Sequence, residues 1–193
     1  MIRKLESKKD QDKKRKRNNL VLSLVLIVVL FGSIFGTFLN LFGNDSEGSE
    51  SLTYRGIPLS QQGNLFVLSL GDRAFYFTIN PNEVVSYDVN ISKTIPAFVG
   101  KPFYIDSFDY GAAQELAQNF QGYPERIATA CINETDCVDE SAPIKTCQDN
   151  IIIVRESKEN KVYEVENCIY IEGTNEDLIK MTDAFILKAL GLN

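Results

Sequence analysis

The sequence predicts an α+β extracytoplasmic domain, a mixed sheet covered by two or three helices and stapled by disulfides, carried on a single N-terminal transmembrane helix. Three observations carry that expectation: an uncharged apolar run at 20–42, opposite charge on its two sides, and four cysteines all on its C-terminal side.

The N-terminal tail, 1–19, holds nine Lys or Arg against three acids, a local charge of +6. Beyond residue 42 there are eleven Lys or Arg against twenty-three acids, or −12, and the two blocks account for the overall −6. An outer domain so acidic repels phosphates, so no nucleic acid is expected as a partner. The protein lacks His and Trp altogether. That excludes Ser-His-Asp and Cys-His catalysis and every zinc site that needs imidazole.

Residues 20–42 include seventeen Leu, Val, Ile or Phe and no charge. As a helix they extend about 35 Å, enough to cross a hydrocarbon core of about 30 Å. A cleaved secretory signal shares the basic start but has a shorter apolar region and a small-x-small cleavage site, neither of which fits. The run Lys13-Lys14-Arg15-Lys16-Arg17 lies directly before the span, and 43–51 after it contains no Lys or Arg. The positive flank stays inside, so the chain is expected at the cell membrane with its N-terminus cytoplasmic and its C-terminal domain outside. The basic run also attracts the anionic inner leaflet, which makes the lipid bilayer a partner. Gly32 and Gly36 form a G-x-x-x-G pattern within the span, which lets two helix backbones approach closely and predicts a homodimer through the membrane.

The Gly, Ser and acid-rich stretch 43–52 reads as a flexible linker, and 53–193 as the outer domain. Leu65 to Leu70 and Arg73 to Ile79 form a hairpin around Gly71-Asp72, a pair suited to a II′ or I′ turn. Residues 80–88 after it fit a short helix or a strand. Phe103 to Asp106 reads as a strand leading into a helix capped by Ser107 or Asp109, with Ala112, Ala113, Leu116, Ala117 and Phe120 on its apolar face. Arg126 to Ile132 completes a strand-helix-strand unit, and Ile151 to Arg155 is a further strand. Lys161 to Ile171 reads as one strand after a polar turn. A last helix starts at a Thr174/Asp177 capping box, buries Leu178, Met181, Phe185 and Ala189, and stops at Gly191.

An even number of cysteines outside the membrane predicts two disulfides. Cys131 ends one strand, Cys168 lies within another, and Cys137 and Cys147 share a loop, so the expected pairs are Cys131–Cys168 and Cys137–Cys147. The spacing contains no C-x-x-C, which argues against both a four-thiolate zinc site and a redox pair; no metal and no cofactor are expected. Acidic residues crowd the first cysteine loop, at Glu134, Asp136, Asp139 and Glu140, without the order of a calcium-binding loop. Asn44, Asn90 and Asn133 each begin an N-x-Ser/Thr triplet on the outer side, where glycan addition takes place. Eight tyrosines supply amphipathic aromatics for a binding surface, or half-buried residues for a sheet.

Two functions remain from different classes. The leading one is a membrane-anchored extracytoplasmic binding or accessory domain, non-enzymatic, with a protein or glycan partner. The alternative is a tethered hydrolase using Asp106 and Asp109 as acid and base, because both fall where a strand passes into a helix. Helix capping explains the same two residues more simply.

Overall fold

Short turns and alternating apolar residues build the first part of the domain as an antiparallel meander. The computed structural model describes residues 52–192, apart from 138 and 140. The basic tail, the 20–42 span with Gly32 and Gly36, and Asn44 lie outside the described residues. Among the described residues no helix is long and apolar enough to cross a membrane.

Strands β1 (Thr53–Tyr54), β2 (Ile57–Gln62), β3 (Leu65–Leu70) and β4 (Arg73–Phe77) pair in sequence order. Gly71 turns the expected hairpin at φ +58° while Asp72 keeps an ordinary negative φ, the pattern of a II′ turn. After β4 the chain makes a 3-10 turn at Pro81–Glu83, where the Asn80 side chain accepts the Asn82 N–H. That turn resolves the choice left open between helix and strand.

The second sheet comprises β5 (Val89–Asn90), β6 (Pro102–Ser107), β7 (Arg126–Thr129), β8 (Ile151–Glu156), β9 (Lys161–Val165) and β10 (Cys168–Gly173), in the order β5-β9-β10-β8-β6-β7. Strands β7, β6, β8 and β10 run parallel, and β9 is antiparallel to β10. The unbroken apolar runs of β6 and β8 reflect this central position, covered on both faces. One continuous strand was expected over 161–171. Instead the chain reverses at Glu166-Asn167, with Glu166 at φ +55°. The two-residue turn pairs Val165 with Cys168 and so shifts the alternation by one residue, with Val162 facing the main core before it and Ile169 and Ile171 after it.

Helix α1 (Tyr110–Phe120) has Asp109 as its N-cap, its carboxylate accepting the Ala112 N–H at 2.7 Å. Helix α2 (Leu178–Ala189) begins one turn later than the Thr174 cap implies. The Thr174 hydroxyl does meet Asp177 at 3.1 Å. Lys180 and Asn160 also hold that carboxylate, pulling its pKa down to about 2. Gly191, at φ +75°, ends the helix, and the Leu192 N–H closes back on the Leu187 carbonyl.

The described residues form an α+β fold with two sheets and two α-helices, where one sheet was expected. Both helices contact the six-stranded sheet and each other, α1 also meets β4, and a single apolar core joins all of them. Its centre is a cluster of rings. Phe120 lies 5.0 Å from both Phe98 and Phe103 and 5.8 Å from Phe185, centroid to centroid. The other sheet face carries a smaller cluster around Tyr104, Ile151, Ile153 and Cys168.

Both disulfides form, but with different partners from those expected: Cys131–Cys137 and Cys147–Cys168. Strand order explains the correction. β7 and β10 are separated by β8 and β6, three strand spacings or about 14 Å, whereas bridged cysteines have Cα atoms within about 7 Å. Cys168 opens β10 beside Ile151, which opens β8, so Cys147 arrives next to it with a Cα separation of 4.8 Å. Cys131 closes onto Cys137 within its own loop, at 5.3 Å.

Candidate functional site

Where β6 ends and α1 begins, the chain exposes two large aromatics in succession. Tyr110 is 81% exposed and Phe108 54%. They stand at the mouth of a groove of about 570 Å³ between α1 and β7, floored by Ala113, Ala117 and Ile127. A second hollow of about 730 Å³ shares Gln114, Ala117 and Ile127 and carries the groove on past Gln118, Gln121 and Arg126.

Asp106 and Asp109 shape this mouth by serving different elements. The buried Asp106 carboxylate turns to the far face of the sheet, where it lies 2.7 Å from the Arg155 guanidinium and accepts the Ile132 N–H at 2.8 Å. Arg155 also donates to the Asp106 and Val154 carbonyls and spreads over the Phe108 ring, 4.6 Å from its centroid. Asp109 caps α1. The first aspartate anchors the cation under Phe108 and the second starts the helix, so the two do not converge as an acid and base.

The other wall of the groove is β7. Arg126 donates to the Tyr104 hydroxyl at 2.7 Å, and the Lys145 ammonium lies 4.4 Å from that ring's centroid. The Arg126 hydrogen bond, reinforced by Lys145, holds the Tyr104 phenol below its usual pKa.

Sequence reasoning missed a second polar group, inside the core. Glu115 and Asn119 of α1 and Asp183 of α2 are all buried. They finish the free edge of β4: Glu115 accepts the Thr78 N–H at 2.8 Å, Asp183 the Ile79 N–H at 3.2 Å, and Asn119 both accepts from and donates to the Tyr76 backbone. Each carboxyl has one oxygen left, and no other donor reaches it. A proton shared between the two carboxyls would satisfy both oxygens, an expectation tested below. Burial raises the pKa of Glu115, and burial together with the neighbouring Glu115 raises that of Asp183 well above the carboxylate range. Asp183 interrupts the apolar run of α2, and Glu115 and Asn119 fall one turn apart beside the apolar stripe of α1; that pattern was the available signal.

The tyrosines are dispersed rather than gathered on one surface. Tyr54 is buried, donating to the Leu192 carbonyl; Tyr123 lies under Arg73; Tyr163 and Tyr170 stack across β9 and β10 at 5.0 Å. Asn90 and Asn133 are exposed, on β5 and in the first cysteine loop. Among the described residues no cluster of three or more acidic or cysteine side chains is arranged to hold a metal ion. Comparison of the chain with protein-family models, with curated proteins and with solved structures finds no match.

Proposed function

We propose that the chain is a membrane-anchored extracytoplasmic binding domain whose contact surface is the groove between α1 and β7. The exposure of Phe108 and Tyr110 at the mouth of that groove carries the reading. Large aromatics next to a concave apolar floor are the side chains that dominate binding energy, and the carboxyl end of parallel strands is where ligands approach such sheets. The apolar run at 20–42 and its flanking charges support a tether with the groove on the outer side.

A photoreactive phenylalanine installed at position 110 of the full-length chain, in its native membrane, tests the proposal against the same probe at exposed Val165 on β9. A discrete adduct from 110 and none from 165 is expected. Equal labelling from both positions, or none from 110, would overturn it.

A further inference from the structure

We infer that the groove takes an extended peptide, added to the free edge of β7 as a further strand, in which apolar residues alternate with acidic ones. This rests on the groove being the contact surface.

β7 is the last strand of its sheet. In its register with β6, Arg126 and Ala128 turn their backbone groups inward, and the Ala130 N–H continues that series by donating to Ile105 at 3.1 Å. Ile127 and Thr129 therefore turn theirs outward. Next in the outward series is Cys131, which already has partners: its N–H donates to Pro143 at 3.1 Å and its carbonyl accepts from Lys145 at 2.8 Å, in a parallel bridge with Ile144. The lane beside β7 is thus begun by this chain's own 143–145 segment. Next to Ile127 and Thr129 no backbone partner fills it among the described residues. Two outward residues offer two donors and two acceptors, the chemistry that an extended peptide satisfies by strand addition.

Side chains of an added strand alternate between the two faces. On the α1 face they meet Ile127 and the short side chains of Ala113 and Ala117, which leave room for a residue of valine or leucine size. The opposite face presents Arg126 and Lys145. Carboxylates Glu125 and Asp139 lie on the groove side, and Asp149 is 3.4 Å from Lys145, so among the described residues beside β7 Arg126 is the cation left to a partner. Beside Arg126, β7 itself offers only Ala128 on that face, so a second copy does not supply the complementary charge.

The test uses the full-length chain in lipid nanodiscs and a fluorescent peptide, Val-Asp-Val-Asp-Val-Asp-Val. Binding read by anisotropy is expected, with slowed hydrogen exchange at the Ile127 amide. The Val/Lys counterpart should bind about tenfold more weakly, a preference that Arg126→Glu reverses. Thr129→Pro removes one outward N–H and should weaken binding by a similar factor, about tenfold. Equal affinity for both peptides, undiminished binding of peptides N-methylated on alternate amides, or an Ile127 amide already protected in a dimer without peptide would each overturn strand addition. A photo-adduct at position 110 combined with no peptide binding would leave the contact surface standing and remove only the strand.

Discussion

Removing the Asp183 carboxyl tests the shared proton at the β4 edge directly. In Asp183→Ala the Ile79 N–H loses its acceptor and Glu115 loses the group that shares its proton. Leaving a buried polar group unpaired costs about 1–3 kcal/mol, so the two together cost about 2–6 kcal/mol. A domain of about 140 residues unfolds with an entropy near 0.3 kcal/mol/K, so a loss of 3 kcal/mol lowers Tm by about 10 °C. Asp183→Asn behaves differently, since its amide oxygen still accepts from Ile79 and its amide nitrogen donates to Glu115 without a proton to lose.

The sign of the pH effect follows from both folded pKa values being raised. The pair's contribution is fully present below the unfolded carboxylate range, near pH 4, and is lost as pH rises through the folded values. While the folded chain holds one proton that the unfolded chain has released, stability falls by about 1.4 kcal/mol per pH unit. Urea melts at pH 4 to 8 should show the Asn variant gaining on the parent as pH rises. Identical slopes for the two proteins would refute a shared proton, and an Ala variant within about 0.5 kcal/mol of the parent would refute the edge contacts.

Phe120→Ala, which empties the centre of the ring cluster, should cost about 3–5 kcal/mol in denaturant melts; a loss below about 1 kcal/mol would mean the cluster is not the core. Replacing Cys147 and Cys168 together by Ser opens the larger covalent loop and should cost about 3 kcal/mol, against about 2 for the Cys131–Cys137 loop. Non-reducing peptide maps should join those same pairs, and a Cys131–Cys168 peptide would contradict the strand order. Protease added to intact cells should remove the region beyond residue 43 and spare the basic tail; a C-terminal tag reached only after permeabilisation would refute the topology. In a reporter of helix association, Gly32→Ile and Gly36→Ile should lower the signal of the 20–42 span, and unchanged signals would remove the dimer contact.

Features determined within a few residues were legible in the sequence. Gly71-Asp72 gives the hairpin, Asp109 the start of α1, and Gly191 the end of α2, because caps and tight turns depend on local dihedrals and neighbouring N–H groups. The apolar stripes of both helices were legible for the same reason: their period belongs to the backbone. The proposed membrane span, its orientation and the Gly32/Gly36 contact rest on composition and spacing alone and lie outside the described residues. Tertiary structure decided what depends on strand order. Cys131 and Cys168 each stand on or beside a strand, as expected, yet β8 and β6 lie between those strands and redirect both disulfides. Asp106 reads locally as a helix-capping carboxylate, but Arg155, 49 residues away, takes it to the other face of the sheet. Glu115 and Asp183 reach neighbouring amides, those of Thr78 and Ile79, because α1 and α2 pack side by side. Such pairings follow from burying several apolar faces in one core. No single segment carries that choice, because each face is satisfied only by elements distant in the chain.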